Sequence, residues 1–327
     1  MTPKKVLIVD PAFVGDVVFS GPLIRALSAG LPGVEVGLVV RPPAQAVASR
    51  LVGLGRVFVF DKRGKDAGLG GLLAMAKTLA AEAYALALIP HPSFRSVLLA
   101  QRARIPARVG AAPPPAAWLL TERRAVPDHL VRSRLALAEG LVAPEHLDPS
   151  LAGVLRRLGD GGGPRARPRV GLVLGANWAT KRWATAQLHD FVRGFDTARA
   201  ELAFLGSAED RPLLEALRGA GPAGAQAIDA VGGSLEDLIR AIEACDRVVA
   251  GDTGPLQIAR GLGVDVVALF GPTSELRHDF SPKDRVIVHP LPCRPCHHHG
   301  PKVCPLGHHR CMVDLPAREV LAALEPR

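Results

Sequence analysis

The sequence predicts an α/β protein made of two doubly wound parallel-sheet halves that face a central cleft. Three observations carry this. Short Val- and Leu-rich apolar runs alternate with segments of helical period, as in β–α–β chains. The alternation restarts after a Gly/Pro/Arg-rich stretch in mid-chain. The length of 327 residues suits two domains of roughly 150 residues each.

In the first half, Val6–Val9, Val34–Val40, Val57–Phe60 and Ala85–Ile89 read as buried strands. Helix-period apolar residues fill Pro22–Ala29, Gly71–Ala83 and Phe94–Ala103 between and after them, and His129–Leu141 reads as a further amphipathic helix. The stretch 158–169, Leu-Gly-Asp-Gly-Gly-Gly-Pro-Arg-Ala-Arg-Pro-Arg, has no apolar period and is the linker candidate. This sets an N-terminal domain at 1–160 and a C-terminal domain at 168–327. In the second, strands are expected at Val170–Leu174, Leu202–Leu205, Arg247–Ala250 and Val266–Leu269. Helices are expected at Ala184–Phe195, Glu209–Arg218, Ser234–Cys245, Pro255–Gly261 and Pro316–Leu324. Rossmann-like halves of this kind bind ligands beyond the C-terminal ends of their strands.

Composition narrows the class. With 48% hydrophobic residues the chain can bury ample core, which excludes a disordered protein. No apolar run approaches the ~18 residues of a membrane span. The opening apolar run stops at Asp10-Pro11 and reads as a first strand, not as a signal peptide. Four of the five cysteines crowd one tail segment, whereas a disulfide framework would spread them. A cytoplasmic protein is therefore expected, peripheral at most to the inner face of the membrane. The net charge of +9 is one-sided: residues 1–160 hold 20 Lys and Arg against 12 Asp and Glu, residues 161–327 hold 20 against 19. The first half should face something anionic, a phosphorylated glycolipid, a membrane surface or nucleic acid, unless the surplus only keeps the surface soluble. No helix-turn-helix, RRM or aromatic platform accompanies it, so nucleic acid is not the expected partner.

Three loops directly after strands carry the candidate chemistry. Phe13-Val-Gly-Asp16 opens a helix after the first strand. Asp16 there is either a helix cap or a carboxylate placed to take a proton from an acceptor hydroxyl. Gly251-Asp252-Thr253-Gly254-Pro255 joins a strand to a helix and offers backbone N–H groups and a hydroxyl at a helix N-terminus, where phosphate binds well. Its bland reading is a tight turn with a capping Asp. Asn177-Trp178-Ala-Thr180-Lys181-Arg182-Trp183 sets two cations between two tryptophans. Lys181 could neutralise a leaving diphosphate, or the loop is a solvated basic turn beside core tryptophans. Walker A, G-x-S-x-G, H-E-x-x-H and D-x-D sequences are missing, so a bound diphosphate would be neutralised by backbone dipoles and cations.

Gly15-Asp16, Thr180-Lys-Arg-Trp183, Ser234-Leu-Glu-Asp-Leu238, Asp252-Thr-Gly-Pro255, Leu269-Phe-Gly-Pro-Thr273 and the Cys/His tail, taken in order, together resemble the glycosyltransferase family 9 heptosyltransferases. The resemblance implies a GT-B fold, with an acceptor on the N-terminal domain and ADP-heptose on the C-terminal one. It implies inverting, metal-independent transfer with Asp16 as general base and no required cofactor. Lys181, Thr253 and Gly254 would hold the ADP phosphates, Pro255 would belong to the same donor-binding loop, Asp252 would lie near the heptose, and Glu209 would contact the adenosine ribose. The acceptor would be an anionic lipopolysaccharide core at the inner membrane surface. Gln257 stands where the family commonly has His, and Asp10 where a cation is frequent.

Cys293, Cys296, Cys304 and Cys311, with five histidines among them, have the density of a structural zinc site but not a standard ribbon spacing. A metal-free packed loop is the alternative. Two other functions share the fold: a transferase using another nucleotide sugar, and a catalytically lapsed binding protein.

Overall fold

A computed structural model describes residues 3–91, 93–159, 163 and 165–325. The expected linker falls partly outside the described residues, since 160–162 and 164 are not among them. The chain forms two compact units. One is Met1–Arg156 with Arg277–Asp279, the other Arg157–Leu276 with Phe280–Arg327. No sequence signal marks the three-residue excursion 277–279.

The first unit holds β1 (Lys5–Val9), β2 (Glu35–Val40), β3 (Arg56–Val59), β4 (Leu86–Ile89), β5 (Ala107–Gly110) and β6 (Glu122–Arg123) in the order β3-β2-β1-β4-β5-β6. Every pairing is parallel; Val6, for example, lies opposite Val36 on one side and Leu86 on the other. The second unit repeats the plan with β7 (Arg169–Val173), β8 (Glu201–Gly206), β9 (Ile228–Val231), β10 (Arg247–Gly251), β11 (Asp265–Phe270) and β12 (Arg285–Val288), ordered β12-β11-β10-β7-β8-β9 and again all parallel. In each unit the order reverses between the first strand and the fourth, β1/β4 and β7/β10. Ligands bind doubly wound sheets beyond the strand C-termini at such switch points.

Burial explains why the central strands were readable. Val6, Leu7, Ile8 and Val9 are fully buried, as are Val248 and Val249. A parallel strand covered on both faces needs a continuous apolar run. Each such side chain contributes about 1.5–3 kcal/mol. The short strands β5, β6, β9 and β12 escape the same reasoning because they are half-exposed and carry charged or mixed residues.

One expected helix is broken. In place of a continuous helix over His129–Leu141, Arg132–Leu135 forms one turn and Ala136–Ala138 a 3-10 turn. Arg124 explains the stop: its Nη1 donates to the carbonyls of Ala136 and Glu139 at 3.0 and 2.7 Å, taking acceptors that a continuing helix would use. Within the same turn Arg134 points inward. It donates to Leu130 O (2.6 Å), Ser20 Oγ (3.3 Å) and Asp10 Oδ2 (3.3 Å), and Ser20 Oγ donates to Asp10 Oδ2 at 2.8 Å. Asp10 is fully buried and carries the counter-charge for Arg134.

Removing one partner of a buried pair leaves an uncompensated charge. Asp10→Ala is expected to lower stability by about 3–5 kcal/mol, read from urea unfolding curves. A loss below about 1 kcal/mol, the range of a solvent-screened pair, would show that Arg134 finds water instead.

Candidate functional site

In the second unit the exits of the adjacent strands β7 and β10 converge. The β7 exit runs into a 3-10 turn, Ala179–Lys181. Trp183 pins that loop: it is 7% exposed, packs edge-on against Phe191, and donates from Nε1 to Leu315 O at 2.9 Å. The core reading of this tryptophan therefore holds, while Trp178 is half-buried. The β10 exit leads through Asp252 and Thr253 into the helix Gly254–Gly261, with Thr253 at its N-cap and Pro255 in its first turn.

Lys181 Nζ lies 2.6 Å from Asp252 Oδ2, with both side chains largely covered. Thr273, buried at the end of the β11 exit, donates to the same oxygen at 2.8 Å. On the other side Gln257 Nε2 stands 3.5 Å from Asp252 Oδ1, and Arg260 Nη1 donates to Gln257 Oε1 at 2.8 Å. The Arg260 guanidinium in turn lies 4.3 Å from the Phe280 ring centre. Gln257 thus passes one amide contact to Asp252 while its carbonyl is fixed by a buried arginine. Close approach is possible because Gly251 has no side chain: a Cβ there would sit 2.6 Å from the Lys181 carbonyl.

The result is one carboxylate, just before a helix N-terminus, held by an ammonium and the Thr273 hydroxyl, while the Thr253 hydroxyl donates to Gly251 O at 3.1 Å. Anions are favoured at helix N-termini by the peptide dipole and unpaired N–H groups, and Lys181 adds a full positive charge. Of the expected donor residues, Lys181, Asp252, Thr253, Gly254 and Pro255 are brought together. Glu209 stands apart, exposed in the 3-10 turn after β8. Its neighbour Asp210 is buried and accepts from Ser207 N and Oγ at 2.8 and 2.9 Å. Thr273 and Arg260 were not singled out from sequence, though Thr273 closes a quoted motif.

In the first unit Asp16 is the third residue of the short helix Val14–Phe19 at the β1 exit, half-buried, and its Oδ2 accepts from Phe13 N at 3.3 Å. It does cap the helix start, from inside the first turn. That bond uses one oxygen and leaves the capping and proton-accepting readings compatible. Beside it the basic surplus gathers at strand exits: Arg41 after β2, Lys62 and Arg63 after β3, and Arg95 in the helix Phe94–Arg102 after β4. Arg41 stacks on Phe13 at 5.4 Å and Arg95 on Phe60 at 5.3 Å. Burial, then the charges of Arg41, Arg63 and Arg95, hold the Lys62 amine below the ordinary lysine range. A cluster that lowers its own lysine is one that an anion would relieve.

Three of the clustered thiols, Cys293, Cys296 and Cys304, lie in the tail between β12 and the helix Arg310–Val313, and the fourth, Cys311, lies in that helix. Among the described residues no three Cys, His, Asp or Glu side chains are grouped to hold a metal ion. The thiols do differ in environment. Cys304 receives backbone N–H groups, His309 N at 3.4 Å foremost, and these hold its thiol below the usual range. Burial first, then the neighbouring Cys296, pushes Cys311 up to about 11, and burial pushes Cys245 up to about 12. The thiolate is the reactive form. Iodoacetamide near neutral pH should therefore label Cys304 first and Cys311 and Cys245 last, followed by peptide mass spectrometry. Cys304 labelling should also level off at lower pH than an ordinary thiol of pKa about 8.5. Equal rates at Cys304 and Cys311 would contradict this electrostatic picture.

Comparison with known proteins places this geometry. Residues 72–306 match the model of glycosyltransferase family 9 (heptosyltransferase). A lipopolysaccharide heptosyltransferase 2 of Salmonella typhimurium is 25% identical over 98% of this chain and 97% of its own length. Lipooligosaccharide heptosyltransferase 2 of Campylobacter jejuni is 33% identical, but the match spans only 28% of this chain and 29% of that protein. Among solved structures, a family 9 glycosyl transferase of Veillonella parvula superposes with a TM-score of 0.85 at 19% identity, covering 98% of this chain and 96% of its own. The ADP-heptose lipopolysaccharide heptosyltransferase II of Escherichia coli gives 0.77 at 22% identity, over 98% and 97%. With its paired doubly wound sheets and its motifs in order, the chain belongs to glycosyltransferase family 9, the heptosyltransferase family.

Proposed function

We propose that the chain moves a heptose from ADP-heptose to the inner core of lipopolysaccharide by direct, inverting displacement that needs no divalent ion. The observation that carries this is the Lys181 ammonium, 2.6 Å from Asp252, beside the start of the helix Gly254–Gly261. A diphosphate laid there would exchange the carboxylate partner of Lys181 for its own charge and take the N–H groups around Thr253 and Gly254. As the bond to the anomeric carbon breaks, negative charge grows on the leaving diphosphate, and a fixed cation stabilises it more than it stabilises the bound donor. Asp252, Thr253 and Pro255 shape that site, Asp252 toward the sugar. Glu209 is assigned to the ribose.

On the first unit Asp16 would accept the proton of the attacking hydroxyl as the new glycosidic bond forms, the role of a general base. The Arg41, Lys62 and Arg63 cluster next to Phe13 supplies the attraction for an anionic glycolipid core. The relatives' names supply the acceptor class. Among the described residues no helix is long and apolar enough to cross a membrane, and the proposed place of action is peripheral, at the inner face of the cytoplasmic membrane. A zinc on Cys293, Cys296, Cys304 and Cys311 would serve the fold of the tail and take no part in the chemistry.

ADP is expected to bind with unchanged affinity after exhaustive EDTA treatment, measured by titration calorimetry. Loss of binding with the circular dichroism spectrum intact would sink the metal-free reading.

Asp16→Asn is the sharper test. Its amide oxygen can still accept from Phe13 N, so the unfolding midpoint should hardly move. Turnover should fall by about 10²–10⁴-fold, the usual span for a lost general base, while ADP affinity persists. Full activity in the folded variant would leave Asp16 as a cap only.

A further inference from the structure

The tail bears on Lys181 through contacts that the donor reading does not use. Between β12 and the helix Arg310–Val313 the chain runs without helix or strand, yet it closes on the Lys181 turn at three points. The Thr180 hydroxyl donates to Pro301 O. His309 Nε2 lies 2.7 Å from Thr180 O; a carbonyl only accepts, so this nitrogen carries the proton. Gly300, at φ 86, lies flat against the Lys181 stem, where a Cβ would come within 2.9 Å of Cε and 3.2 Å of Cγ.

His309 is itself held from both directions. Its N–H donates to Cys304 Sγ at 3.4 Å, within a turn closed by Gly307 N to Cys304 O at 3.0 Å. Its carbonyl accepts from Met312 N and Val313 N, both at 3.1 Å, and Met312 is fully buried. The residue adopts left-handed backbone, φ 47, which a non-glycine residue keeps only when its surroundings hold it. Thr180, 4% exposed, has its side-chain and main-chain oxygens both engaged by the tail. The Lys181 backbone thus lies between the Gly251 side of β10 and the tail, and its side chain runs past Gly300 to Asp252.

We propose that His309 is a positioning residue for Lys181: through its bond to the Thr180 carbonyl, the Cys304–His309 turn aims the Lys181 ammonium at the donor diphosphate. The inference rests on the donor reading of Lys181 for its functional consequence and on geometry alone for the positioning itself.

The test uses the full chain with His309→Ala, His309→Gln, Lys181→Ala and the His309→Ala/Lys181→Ala pair. Two readouts are taken: ADP affinity by calorimetry, and Lys181 acetylation by trace acetic anhydride, with exposed Lys77 as internal reference. In the parent chain Lys181 should label slowly because Asp252 and the tail cover it. His309→Ala should speed Lys181 labelling relative to Lys77 and weaken ADP by about tenfold, the scale of one bond to a charged group. His309→Gln, whose amide can donate to the same carbonyl, should restore both. In the Lys181→Ala background the His309 change should add almost nothing to the ADP loss, as coupled residues do in a double-mutant cycle. Unchanged Lys181 labelling in His309→Ala overturns the proposal, as does a full additive ADP loss in the double variant. If Lys181→Ala leaves ADP affinity intact while His309→Ala still accelerates labelling, the positioning stands and the donor reading of Lys181 fails.

Discussion

A lysine and an aspartate 71 residues apart meet at 2.6 Å, and most of what the second unit can do follows from holding them there. Neither charge is free to wander. Lys181 leaves β7 in a tight turn pinned by Trp183. Asp252 leaves β10 with a Thr273 hydroxyl on one oxygen and the Gln257 amide near the other. Partly covered charges in contact with a low-dielectric core attract strongly, but only when their remaining hydrogen-bonding capacity is met. Thr273 and Gln257 do this for Asp252, and Arg260 fixes Gln257 in turn. On the proposed donor reading, an arriving diphosphate would take over from Asp252 a cation that is already largely covered and held in place, so little of its binding energy would go into organising the site.

The first unit solves the same problem of a charge at a switch strand by a different route. There the carboxylate of Asp10 is fully buried and compensated by Arg134 and Ser20, so it contributes to the frame and not to an open site. The residue left half-exposed at the β1 exit is Asp16, whose Oδ2 accepts from Phe13 N. Two acids six residues apart thus acquire opposite characters from their surroundings alone. The one sealed against a guanidinium holds structure, and the other stays half-exposed at a strand exit. The cations around Lys62 add a positive field at neighbouring strand exits, which favours the ionised form of any acid placed in it.

Much of this was legible in the sequence, for physical reasons. Parallel strands buried on both faces need unbroken apolar runs, and Val6–Val9 and Val248–Ala250 announce themselves that way. Helix starts need small or capping residues, and Gly251-Asp-Thr-Gly-Pro255 could hardly be anything but a strand-to-helix turn. Edge strands such as Glu122–Arg123 were not legible, because nothing in a two-residue exposed pairing constrains composition. The broken helix at 132–138 was hidden too, since its cause is Arg124, eight residues before the turn and acting through main-chain carbonyls.

The site divides along the same line. Which residues take part was readable from local motifs, because each loop carries the chemistry its own backbone demands. Who touches whom was not, because Thr273 and Lys181 reach Asp252 only through the order in which β7, β10 and β11 lie side by side. The charge surplus of the first half was visible as a number, yet its concentration at the exits of β2, β3 and β4 depends on parallel strands sharing one direction. All strand C-termini of a doubly wound sheet open on the same edge. Residues far apart in sequence therefore need only sit just after a strand to become neighbours. Such a fold can change what it binds by substitutions in these loops, while the apolar runs beneath remain the same.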